Sequence, residues 1–190
     1  MAHFRFKSSL RRSANPQFAF LSLRPTIGLA RLLAEKRGKE DAFQRLDCFI
    51  YAALIYDNLA TQYRSLQNRT GSQLQSWLAL AGIPAIADLY ESSQSFIYHG
   101  KRLGALVLKL PIASLDPARS TSRAPRGCQT GDYPIGNLSC EDFIEVAYMV
   151  RCNFLHGSYD VADDATADIL LKVGSRFVSL VWRIASQSTW

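Results

Sequence analysis

Apolar residues recur at intervals of three and four along most of this chain, the spacing that lines one face of a helix. The strongest run covers about residues 39–67, where Phe43, Leu46, Phe49, Ile50, Ala53, Leu54 and Leu59 keep the spacing, with Tyr51 and Tyr56 on its flanks. Asn68 and Gly71 follow it and suit a helix stop. An earlier helix opens at Pro25, carries Ile27, Leu29, Leu32 and Leu33, and stops near Gly38. A shorter helix is expected over about 72–81, stopped by Gly82. Another runs from Pro84 toward Gly100, with Ile86, Leu89, Tyr90, Phe96 and Ile97 facing inward. Ser139 is a good N-cap, with Asp142 three residues on, for a helix carrying Phe143, Ile144, Val146, Ala147, Val150, Phe154 and Leu155 up to Gly157. A last helix starts near Asp163 and holds Ile169, Leu170, Val173, Phe177, Leu180, Val181 and Ile184. Asp160, Asp163, Asp164 and Asp168 crowd its start, where the backbone dipole favours negative charge; that reading is preferred to a metal site.

The pattern breaks in three places. Residues 103–110 are apolar and open between a continued helix and a buried extended piece, ended by Pro111. Residues 111–138 are rich in Pro and Gly and form a long non-regular insertion. Arg119, Arg123 and Arg126 make it locally basic, either as an RNA-contacting loop or as a mobile surface insertion. Residues 1–24 alternate weakly over 3–7 and 17–23, enough for a small hairpin. The expected fold is all-α: an antiparallel up-and-down helical bundle over residues 25–190, preceded by an arm over 1–24 and interrupted by the long loop.

Charge changes the picture of the arm. The chain carries a formal +6, and residues 1–34 contain Arg5, Lys7, Arg11, Arg12, Arg24 and Arg31 without one acid, so the remainder balances to zero. Three readings stand: a phosphate-neutralising arm, a solvated terminus, and an organellar targeting peptide. Elsewhere 48% hydrophobic and 20% charged residues describe an ordinary globular chain. No apolar run approaches the ~18 residues that would span a membrane, so the expected setting is cytoplasmic. Cys48, Cys128, Cys140 and Cys152 form no C-x-x-C pair, and the histidines do not flank them at zinc-ligand spacing. Reduced thiols are expected, with no metal and no cofactor.

Candidate chemistry gathers in Arg151-Cys152-Asn153-Phe154-Leu155-His156-Gly157. A histidine titrates near neutrality, and in the last turn of a helix the dipole favours its cationic form. Arg151 is suited to a phosphate or the growing charge of a phosphorane. On an ideal helix it lies about 140° from His156, so the two converge only at a helix end or across a dimer axis. Asn153 can orient His156 or a ribose hydroxyl. Spacing alone leaves open a surface Arg, a polar Asn and a capping His. There is no Gly-rich phosphate loop and no G-x-S-x-G elbow.

The stretch Tyr148 to Gly157 resembles the R-x4-6-H signature of HEPN domains, in the form Arg-Cys-Asn, two apolar residues, His-Gly. The aromatic-rich run Arg45 to Leu59, with Asn58 near its end, is similar to the first long helix of these proteins. Leu108 to Ile112 and the apolar final helix fit the family's order, so the resemblance covers about residues 40–187. It implies an all-α bundle that dimerises and brings two motifs together. It also implies metal-independent RNA cleavage, in toxin–antitoxin or phage-defence settings, with an antitoxin or regulatory protein as a further partner. His156 would be the general base or acid, Arg151 would hold the scissile phosphate and Asn153 would assist. Arg5, Lys7, Arg11, Arg12, Arg119, Arg123 and Arg126 would add RNA contacts. Cys152 stands where many active members carry a polar residue. The alternative is a non-catalytic HEPN-like module that binds RNA, nucleotide or protein.

Overall fold

In the computed structural model, residues 18, 20–36, 42–98, 100–110, 112, 125, 128, 130–155 and 163–188 are described. Pro25 stands in a 3-10 turn (Arg24–Thr26), which leads into helix α1 (Ile27–Lys36). The long helix α2 (Ala42–Leu66) ends where Asn68 takes a positive φ of 50°. Helix α3 (Gln73–Ala81) opens with a capping box: the Ser72 hydroxyl accepts from the Gln75 amide, and the Gln75 side chain accepts from the Ser72 amide. Helix α4 (Pro84–Ser92) follows, with proline in its first turn. Helix α5 (Cys140–Leu155) begins under the Ser139 cap, whose Oγ accepts from the Asp142 amide at 3.1 Å. Helix α6 (Asp164–Ile169) is capped by Asp163 and continues through a π turn (Leu170–Gly174) into helix α7 (Ser175–Gln187). The described residues are mostly helical.

Helix α2 sits at the centre, against α1, α3, α7 and the π turn. Phe49, Ala52, Ala53, Ile55, Tyr56, Leu59 and Ala60 are all buried, so most of its circumference faces protein. Tyr56, expected on a flank, is fully enclosed. It packs edge-on to Trp77 at 4.8 Å and against Phe177 at 5.6 Å, and its hydroxyl donates to the Trp77 carbonyl at 3.2 Å. Leu32 and Leu54, expected inside, are 40% and 43% exposed. Before α1, Phe18, Leu21 and Leu23 are buried, and the Gln62 amide clamps Ser22 through both its N–H and its carbonyl. The last residues assigned to the arm therefore belong to the core.

The helix expected to run on toward Gly100 stops at Ser92. The hydroxyls of Ser92 and Ser93 donate back to the carbonyls of Leu89 and Tyr90, which competes with further helix. Arg183 Nη1 donates to the Leu89 carbonyl and to Ser92 Oγ, completing the cap. Beyond a 3-10 turn (Ser93–Ser95), strands β1 (Ile97–Tyr98) and β2 (Lys101–Arg102) pair antiparallel, and Phe96 and Ile97 face outward. Residues 103–110 resolve to the extended alternative. Strand β3 (Val107–Leu110) pairs antiparallel with β4 (Gly131–Pro134), Leu108 opposite Tyr133. The chain is thus not purely α. The non-regular stretch expected over 111–138 also needs correction, because β4 and a 3-10 turn (Ile135–Asn137) lie within it. Gly136 sits so close to Gly104 that a Cβ would come within 2.6 Å of its carbonyl oxygen.

Tyr90 locks this region to α4, its hydroxyl lying 3.1 Å and 3.0 Å from the carbonyls of Ile135 and Leu138. Its ring is covered by the fully buried Arg176 guanidinium, 3.9 Å from the ring centroid. Such stacking returns about 2 kcal/mol when desolvated, less than the several kcal/mol that burying the cation costs.

Burial also pushes the Cys140 thiol up to about 12 and raises the hydroxyls of Tyr56 and Tyr90. A group with a raised folded pKa holds its proton more tightly folded than unfolded. Its stabilisation is complete below the unfolded value, near 9.0 for the thiol, and is lost as pH rises through the folded one. Stability should therefore fall from about pH 9 upward, by about 1.4 kcal/mol per unit from this thiol. In Cys140→Ala the fall should begin about one unit higher, where tyrosines take over. Urea midpoints between pH 8 and 10.5 check this; identical pH profiles would contradict it.

Candidate functional site

Arg151 lies one turn before the end of α5, and its neighbours come from two other helices. Its Nη2 donates to Asp57 Oδ2 of α2 at 3.0 Å, with both side chains about one-seventh exposed (15% and 14%). The indole Nε1 of Trp77, on α3, donates to the other Asp57 oxygen. Tyr148, three residues before Arg151 and so on the same helix flank, brings its ring to 5.7 Å from the guanidinium. Trp77 in turn meets Tyr148 edge-on at 5.3 Å and stacks on Phe177 at 5.3 Å. One arginine is thereby fixed in direction by a carboxylate, which is itself fixed by an indole in the core.

This arrangement presents a cation at a helix end, held by a hydrogen-bonded acid and an aromatic face. The Asp57 contact uses Nη2, and a guanidinium fork has further N–H groups with which to receive an oxyanion. A metal is not suggested by the donors: among the described residues no group of three or more His, Cys, Asp and Glu could hold one. The cysteines are free thiols, Cys48 and Cys140 buried, Cys128 and Cys152 partly so. Among the described residues no helix is long and apolar enough to cross a membrane.

Asn153 is 3% exposed and points with Val146 and Val150 into the core. It lies two residues from Arg151 and so on the far side of the helix from it. That geometry does not suit a group touching substrate, and it corrects the direct role expected of Asn153 to one of positioning the helix end. His156 lies outside the described residues, as do Arg5, Lys7, Arg11, Arg12, Arg119, Arg123 and Arg126. The structure brings to Arg151 three residues that the motif does not contain: Asp57, Trp77 and Tyr148. Of these only Tyr148 carries a sequence signal, its spacing of three from Arg151.

Neither a family model, nor a curated protein, nor a solved structure matches this chain.

Proposed function

We propose that this protein is a HEPN-type, metal-independent endoribonuclease, of the kind that acts as a toxin or phage-defence effector. The single observation that carries the reading is the seat of Arg151. A guanidinium five residues before a histidine is held at a helix end by Asp57 and Tyr148, in position to receive a phosphate beside that histidine. In the reaction His156 takes the proton from the ribose 2′-hydroxyl. The 2′-oxygen bonds to phosphorus, the bond from phosphorus to the 5′-oxygen breaks, and that oxygen is reprotonated. Arg151 neutralises the charge that builds on the phosphoryl oxygens. No metal or cofactor takes part.

The reading includes an antiparallel up-and-down bundle that forms a homodimer in the cytoplasm. Two contacts support opposed directions for α2 and α5: Arg151 meets Asp57, whereas Phe154, further along α5, meets Phe49, earlier on α2. Leu54 is one turn from Asp57 and Leu155 one turn from Arg151, and both are exposed, at 43% and 54%. Such leucines beside the arginine suit a face shared by two copies. RNA contacts by the arm and by Arg119, Arg123 and Arg126 belong to the same proposal, as does an antitoxin or regulatory partner.

A second reading has its own observation. Arg151 is already paired with Asp57 and largely covered, as in a structural ion pair. On that basis the domain would be a non-catalytic RNA-, nucleotide- or protein-binding module. Incubation of the purified protein with several RNAs in EDTA separates the two. Cleavage is expected; well-folded protein that leaves every RNA intact overturns the nuclease reading in favour of the module.

A further inference from the structure

Arg176 poses a question that the Arg151 site does not answer. It is fully buried, and its Nε, Nη1 and Nη2 have no hydrogen-bond partner. Its only close company is aromatic: the Tyr90 ring at 3.9 Å and the Phe143 ring at 5.6 Å. The polar groups around it are committed or neutral. The Tyr90 hydroxyl is spent on the carbonyls of Ile135 and Leu138. The Glu91 carboxylate is exposed and held by Gln94. Cys140 keeps its proton, since burial raises its pKa. A guanidinium stays charged in a protein, so five N–H donors and one positive charge stand uncompensated inside the fold.

Buried polar groups in native proteins find partners, and an exception calls for a bound species. Water would satisfy the donors and leave the charge; an oxyanion satisfies both. The residue also follows directly on the π turn Leu170–Gly174, a rare helix form that gathers at functional sites. We infer that Arg176, stacked on Tyr90 between α4, α5 and α7, anchors an internal binding site for a small free oxyanion of the phosphate class. The enclosure decides the source. A fully covered guanidinium cannot meet a polymer's phosphodiester without unfolding, so the ligand is a free ion and the site is separate from Arg151.

The test is the thermal midpoint of the protein against inorganic phosphate, with sodium chloride at matched ionic strength as control. Wild type should show a saturable rise, on the order of 5–10 °C at a hundred times the dissociation constant. Arg151→Ala should keep the rise and Arg176→Met should lose it. An equal rise in wild type and Arg176→Met, a rise lost only in Arg151→Ala, or no rise at all overturns the proposal. Should Arg176→Met not fold, equilibrium dialysis of labelled phosphate against the Arg151→Ala protein decides. One phosphate retained per chain upholds the site, and none retained removes it.

Discussion

His156→Ala is expected to lower RNA cleavage by about 10²–10⁴-fold, the usual contribution of a general acid–base group. Arg151→Ala is expected to lower it by about 10²–10³-fold, as for loss of one oxyanion-stabilising donor. The two losses differ in what accompanies them. His156→Ala removes a proton carrier and should leave unfolding unchanged. Arg151→Ala also takes a partner from Asp57, a carboxylate only 14% exposed that would be left with Trp77 alone. Some stability should go with it. Arg151→Lys separates charge from shape: it keeps the cation but cannot reach Asp57 and a phosphate with one planar fork, so most of the loss should remain. Rates from single-turnover cleavage, with near-ultraviolet circular dichroism as the control on folding, check all three. Cleavage undiminished in His156→Ala would remove the histidine from the reaction.

Trp77→Ala should be the most destabilising single change among the residues around the site. The indole is fully buried and touches Tyr56, Tyr148 and Phe177, which come from three different helices. Truncating such a side chain costs about 3–5 kcal/mol, a large fraction of the total stability of an ordinary domain. It also withdraws the donor that fixes Asp57, so Arg151 would lose its direction as well as its wall. Trp77→Phe keeps a ring and loses the N–H. It should cost about 1–3 kcal/mol, chiefly from the orphaned Asp57 oxygen and the missing volume. Urea midpoints measure both. A shift below about 1 kcal/mol in Trp77→Ala would mean that the indole does not hold α2, α3 and α5 together.

Local chemistry was readable from the residues. Ser139 and Asp163 cap α5 and α6 where they were expected, because a cap needs only a side chain and an amide three residues on. Periodicity also found α2 but misplaced parts of its faces. A one-faced pattern assumes a wet side, and α2 is enclosed on most sides, so Tyr56 is inside while Leu54 is out. Phe96 and Ile97 continued a helical spacing that the serines before them had already ended. Strand β4 was hidden in a Pro- and Gly-rich run because its partner, β3, lies twenty or more residues earlier. The site divides the same way. Arg151 stands out in its motif, whereas Asp57 is 94 residues away in sequence, and nothing local marks their meeting. Arg176 read as the polar side of an amphipathic helix; only the packing of α4 and α5 turns it inward onto Tyr90.

The most direct test of the nuclease account is the chemistry of the product ends. A defined RNA is cut by wild-type protein in EDTA and the termini of the fragments are analysed. The account predicts 2′,3′-cyclic phosphate on one fragment and 5′-hydroxyl on the other, with no cut at a position where the upstream ribose is replaced by 2′-deoxyribose. Fragments ending in 3′-hydroxyl and 5′-phosphate, or cutting that ignores the 2′-deoxy substitution, would contradict it.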